Sequence, residues 1–196
     1  MKKKVISLVF IIVLFLIIIP TGFNIRRVEE ITDAERFASE FSIVIENPFH
    51  YIEMEEVLEI FESGTGIVLF ADPDSELDRV TIEIFTEVLK ENNVETVYYF
   101  NIKRCRDNNT EEFQELMELI EKFWEEENVD IEILSLPDVF SIKEGVIIGH
   151  SNEVISMQLD KEEYLTEVQI NQLRVSFAQL IQEFSRKECI NECELI

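Results

Sequence analysis

The strongest constraint on this chain is a repeated alternation of two hydrophobic periods. Short apolar or β-branched runs of strand length are each followed by a longer segment whose apolar residues recur every three or four positions. Ile67 to Ala71 is a continuous apolar run, the kind found in a sheet covered on both faces. The segment from Ser75 to Glu91 then sets Leu77, Val80, Ile84, Phe85 and Val88 at helical spacing, and Asn92-Asn93 ends it. Val94 to Ile102 returns to a β-branched and aromatic strand. After a polar break at Arg106 to Asn109, Thr110 caps a long helix aligning Phe113, Leu116, Met117, Ile120, Phe123 and Trp124.

The same reading extends to both ends. Thr32 to Phe41 carries a capping residue and helical spacing, and Asn47-Pro48 breaks what precedes it. Tyr51-Ile52 is a short first strand, and Glu53 to Glu62 places Met54, Val57, Leu58 and Phe61 on one helical face until Ser63-Gly-Thr-Gly66 stops it. Ile131 to Leu134 is extended and precedes Pro137. Val139 to Ile142 and Val146 to Gly149 predict an antiparallel hairpin turning at Lys143-Glu-Gly145. Thr166 opens a last helix with a stripe of Ile170, Leu173, Phe177, Leu180, Ile181 and Phe184. The order β-α-β-α-β-α-β-β-α, after an extra N-terminal helix, predicts an α/β sandwich with a mixed central sheet: parallel strands joined by crossover helices, and an antiparallel edge.

The first residues have a different character. Lys2, Lys3 and Lys4 precede Val5 to Ile19, apolar throughout except for Ser7. A membrane span needs roughly 20 apolar residues and a signal-peptide core about 7 to 15 with a small-x-small cleavage site. Pro20-Thr-Gly-Phe-Asn24 offers no such site, so residues 1–27 are read as an uncleaved membrane anchor. Residues 28–50 follow as a linker with a short helix, 51–187 as the folded domain and 188–196 as a cysteine-containing tail. The lysines place the N-terminus inside and the domain on the extracytoplasmic side.

Of 41 acidic and 17 basic residues, the first 27 positions hold five basic and no acidic ones. The remainder carries 12 basic against 41 acidic residues, a net charge of -29, which repels phosphate backbones and excludes nucleic acid as a partner. Three cysteines, Cys105, Cys189 and Cys193, allow at most one internal bridge. His50 and His150 have no paired ligands nearby, so no metal or cofactor is expected.

Two stretches, Gly66-Ile-Val-Leu-Phe-Ala-Asp-Pro-Asp-Ser-Glu-Leu-Asp78 and Leu136-Pro-Asp-Val-Phe-Ser-Ile-Lys-Glu-Gly145, together with the element order, resemble the thioredoxin superfamily across roughly Tyr51 to Phe184. Phe70 to Asp78 looks most like the version in bacterial thioredoxin-like proteins, including bacteriocin transport accessory proteins. Asn47-Pro-Phe49, Ser63-Gly-Thr-Gly66 and Gly149-His150 also resemble membrane-anchored thioredoxin-like proteins of Gram-positive bacteria. The resemblance implies a thioredoxin-like sandwich in which Ser75 and Asp78 occupy the two positions of the Cys-x-x-Cys and Pro137 matches the cis-proline facing them. Neither a hydroxyl nor a carboxylate supplies a thiolate, so dithiol chemistry at that position is lost and no catalytic residue is assigned there.

Three readings of the replacements stand open. Ser75 and Asp78 form a capping box; or, with the loop before Pro137, they line a groove for an extended peptide; or Asp72, Asp74, Glu76 and Asp78 form a calcium loop. The functional expectation is an extracytoplasmic, thioredoxin-like binding protein for a peptide or protein partner. The alternative is a thiol-disulfide oxidoreductase or bacteriocin transport accessory factor working through Cys105 or the Cys189/Cys193 pair.

Overall fold

The computed structural model describes residues 31–127, 134, 136–151 and 165–193. The chain divides into two units, Met1–Ile31 and Thr32–Ile196, and the sheet with its covering helices belongs to the second. The expected membrane anchor at 1–27 lies outside the described residues. Among the described residues no helix is long and apolar enough to cross a membrane.

The elements are α1 (Asp33–Phe41), β1 (Phe49–Tyr51), α2 (Met54–Ser63), β2 (Gly66–Phe70), α3 (Glu76–Glu91), β3 (Val97–Phe100), α4 (Lys103–Asn108), α5 (Glu111–Glu127), β4 (Asp138–Lys143), β5 (Val146–Ser151) and α6 (Glu167–Cys193). The five strands form one mixed sheet in the order β1-β3-β2-β4-β5. β3 runs parallel to both β1 and β2, whereas β4 is antiparallel to β2 and to β5.

Alternation along β2 feeds a core on each side of the sheet. Ile67, Leu69 and Ala71 face one way and pack with Phe37 and Phe41 of α1, Phe85 and Val88 of α3, and Leu173 and Phe177 of α6. Val68 and Phe70 face the other way, against Val57 and Phe61 of α2 and Leu116 and Ile120 of α5. Helices thus cover both faces, which is why β2 reads as an unbroken apolar run.

The short helix expected within the 28–50 linker is α1, and it is built into the core. Thr32 and Glu35 form a reciprocal capping box at its start, and Ser42 ends it in the left-handed region at φ 60°. Phe37 stacks on Phe49 at a centroid distance of 4.0 Å and meets Tyr99 edge-on at 4.9 Å. The Asp33 carboxylate accepts the Tyr51 amide at 3.1 Å, satisfying a donor on the sheet's outermost strand.

Several boundaries differ from expectation: the first strand is Phe49–Tyr51 rather than Tyr51-Ile52. The third strand begins at Val97 rather than Val94 and ends at Phe100, because Ile102 already turns into α4. The segment read as a polar break contains that six-residue helix. Of the expected extended piece at Ile131 to Leu134, only Leu134 is described, and it is buried. α6 continues through Cys193, so the backbone of the expected tail at 188–193 is helical.

The hairpin tip is seated on the end of α2. The Gly145 amide donates to the Gly64 carbonyl at 2.9 Å, and the Glu144 amide to Thr65 Oγ1 at 3.0 Å. Gly145 has φ +74°, and a Cβ there would lie 2.2 Å from the Glu62 carbonyl oxygen. Gly145→Ala should therefore lower folding stability by about 1–3 kcal/mol, read as a fall in the thermal midpoint; an unchanged midpoint would mean that the tip is not held against α2.

Candidate functional site

β2 ends at Phe70, and the next five residues form a turn that satisfies its own polar groups. Ser75 is the N-cap of α3, and its Oγ accepts the Asp78 amide at 3.2 Å. The Asp78 carboxylate does not complete the expected capping box by returning to the Ser75 amide. It points inward, and its Oδ2 accepts the Asp72 amide at 2.8 Å. Asp is one methylene shorter than the Glu of a usual box, and the turn leaves a buried N–H at Asp72 that needs an acceptor. Asp78 is only 2% exposed; burial pushes its carboxyl above the ordinary carboxylate value, with the Ser75 and Asp72 hydrogen bonds acting in the opposite sense. The two positions that the resemblance assigns to cysteines are both engaged in holding the turn.

The acidic alternation Asp72, Asp74, Glu76, Asp78 does not converge on a cation. Asp72 Oδ1 accepts the Asp74 amide at 3.0 Å and Oδ2 lies 2.6 Å from Lys103 Nζ. Among the described residues no group of three or more His, Cys, Asp or Glu could hold a metal ion.

Lys103 bridges the crevice where the connections diverge. The chain leaving β2 goes to α3 on one face, and the chain leaving β3 goes to α4 and α5 on the other. In open α/β sheets such a divergence at the carboxyl ends of strands is where ligands bind. Burial pushes Asp72 upward, but Lys103 and the Asp74 amide outweigh it and hold its carboxyl below the ordinary range; the same contact raises Lys103. Sequence reasoning missed Lys103. Its only signal was a clustering of charge, since Lys103, Arg104 and Arg106 are three of the 12 cations beyond residue 27.

Pro137 stands at the same edge of the sheet. The Leu136–Pro137 peptide is cis, and Asp138 pairs with Phe70, so Pro137 enters the sheet beside the turn that begins at Ala71. Pro137 is buried and Leu136 half-buried.

Asp138 is fully buried, with His150 Nε2 only 2.7 Å from its Oδ1. The imidazole also stacks on Phe140 at 4.5 Å. Burial pushes the Asp138 carboxyl up to about 6, with His150 opposing the shift. His50 is far more exposed and lies 4.0 Å from Asp33.

Beside the turn, a cavity of about 890 Å³ opens at the carboxyl ends of β1 and β3. Pro73 of the turn forms one wall, with Tyr51, Ile52, Tyr99 and Phe100 from the strand ends. Arg36 and Glu40 enter from α1, Glu53 from the end of β1, and Asn101, Arg104, Cys105, Asn108 and Thr110 from the segment after β3. Tyr51 donates its hydroxyl to Glu40 at 2.7 Å, and Tyr99 donates to the Ala71 carbonyl at 3.3 Å. Burial raises both phenols. Cys105 is a half-buried free thiol, whereas the side chains of Cys189 and Cys193 lie outside the described residues.

Comparison with protein-family models, with curated proteins and with solved structures found no match.

Because Asp138 titrates higher in the folded protein than the ordinary 3.8, its contribution favours folding at low pH and is lost as the pH rises through about 6. Asp138→Asn removes that dependence. Relative to the parent, the variant should gain on the order of 2–3 kcal/mol between about pH 4 and pH 7, measured by denaturant unfolding across the series. A constant difference over that range would show that Asp138 does not carry the buried charge.

Proposed function

We propose that this chain is an extracytoplasmic, membrane-anchored binding protein on a thioredoxin-like scaffold, with an extended peptide or a protein partner bound at the carboxyl-end crevice beside Pro137. The support for the scaffold is the sheet order β1-β3-β2-β4-β5, with three parallel strands and a closing antiparallel hairpin. A helix starting at the exit of β2 and a cis-proline at the entrance of β4 agree with it. The support for anchoring is the run Val5 to Ile19 behind three lysines.

The observation that carries the loss of redox chemistry is the use of Ser75 and Asp78 as structural acceptors. The Ser75 hydroxyl caps α3, and the Asp78 carboxylate satisfies the Asp72 amide. Neither is a nucleophile, and the binding reading uses instead the backbone of the turn and of the residues entering β4.

A second reading, thiol-disulfide exchange, is favoured by one observation: Cys105 lines the cavity next to Pro73, in a segment with Lys103, Arg104 and Arg106. It extends to Cys189/Cys193 only through the sequence.

The scaffold reading is tested by restoring what it says is missing. The parent chain is expected to be inert in dithiothreitol-driven insulin reduction, and Ser75→Cys with Asp78→Cys to acquire that activity, at a stability cost of about 1–3 kcal/mol from the orphaned Asp72 amide. A folded double variant that forms no reversible disulfide would overturn the thioredoxin-like reading; reduction by the parent, lost on Cys105→Ser, would establish the second. The binding arm is read by amide shifts in the same parent chain on titration with an unfolded, carboxymethylated polypeptide. Shifts are expected at Ala71 to Ser75 and Leu136 to Asp138, and their absence would remove peptide binding at this crevice.

A further inference from the structure

The cavity at the carboxyl ends of β1 and β3 has two kinds of charge in its wall. Arg36 and Glu40 are paired with each other at 3.0 Å, and both also engage Tyr51, whose ring lies 3.9 Å beneath the guanidinium and whose hydroxyl reaches Glu40. That pair is closed on itself. The other two charges are of opposite sign and exposed: Glu53 just beyond β1, whose side chain also takes part in the capping box of α2, and Arg104 beyond β3. No ion pair joins them, and among the described residues Arg104 makes none at all, although its neighbours Lys103 and Arg106 are paired with Asp72 and Asp107.

The lining of the same cavity also includes the apolar and aromatic residues Ile52, Pro73, Tyr99 and Phe100. The volume of about 890 Å³ is of the size that takes a small organic ligand. A ligand of one sign would meet an opposing charge: Glu53 repels an anion and Arg104 a cation. A zwitterion with an apolar body satisfies both, its carboxylate on the planar donor fork of Arg104 and its ammonium toward Glu53.

We propose that this cavity is a binding site for a small zwitterion of the amino-acid class with an apolar or aromatic side chain, held between Arg104 and Glu53. Asn101 and Asn108 line the same cavity and add amide groups for a carboxylate or ammonium. The site lies on the β1 side of the Ala71–Ser75 turn, away from the Pro137 entrance, and does not depend on the peptide-binding reading.

The test is a titration of the isotope-labelled full chain with L-phenylalanine, followed by amide chemical shifts, with phenylacetate and phenethylamine as single-charge controls. Saturable shifts are expected at Tyr51 to Glu53 and Asn101 to Cys105, with each control at least tenfold weaker. Arg104→Gln and Glu53→Gln should each weaken phenylalanine at least tenfold, with the spectral changes of the free variants confined to the surroundings of each position, which for Glu53→Gln include the start of α2 that Glu53 caps. No saturable shift at millimolar ligand would overturn the proposal, as would equal binding of all three compounds or parent-like affinity in both variants. Shifts confined to Leu136 to Asp138 would also overturn it, leaving the peptide crevice unaffected.

Discussion

The buried amide of Asp72 is the constraint on which the rest of the candidate site depends. A strand that ends inside a covered sheet leaves its next N–H without a ladder partner, and water cannot reach it. The Asp78 carboxylate supplies the acceptor from one turn into the following helix. Once that bond is made, Asp72 faces Lys103, Ser75 caps α3 and Pro73 becomes a wall of the cavity. A carboxylate is better suited to this work than a neutral group, because it accepts strongly and lies within the first turn of a helix, where negative charge is favoured.

Much of the architecture was legible in the sequence because it is written in periods. β2 announced itself by an unbroken apolar run, and α3 and α6 by stripes of which Ile84, Phe85, Val88, Leu173, Phe177, Leu180 and Ile181 are buried. Leu77, Val80, Ile170 and Phe184 are half-buried, and the buried Ile82 and Leu89 of α3 fell outside the stripe. α4 was not legible, since Lys103 to Asn108 has no apolar face to repeat and its place follows from where β3 stops. Ser75 was correctly read as a cap. The destination of the Asp78 side chain was not, because two acceptor roles three residues apart in sequence differ only in which amide the fold has stranded.

The two contacts that sequence reasoning missed, Asp72 with Lys103 and Asp138 with His150, join residues separated by 31 and 12 positions. Neither spacing has a meaning until the sheet order is known. A single Asp after a proline and a single His in the facing strand look like surface residues; the register that pairs Phe140 with His150 brings the imidazole to Asp138. Charge composition spoke only to the class of partner to expect, while individual cations matter through their place in the fold: Lys103 through Asp72, Arg36 through Glu40, and Arg104 through the cavity it lines.

The seating of the hairpin tip on the end of α2 has a consequence for the order in which the chain is made. β2 lies in the interior of the sheet, yet its partner β4 and the residues that close over Gly64 and Thr65 emerge from the ribosome far later, at a separation of 79 residues for the Glu144 to Thr65 bond. At the usual pace of synthesis that interval lasts on the order of 10 s. Through it, Gly66 to Phe70 presents an open and almost wholly apolar strand edge, the kind of surface that seeds association between nascent chains. A chain built this way depends on what shields that edge during its own production, and the helix immediately before it, with Val57 and Phe61 already in place, is the first cover available to one face.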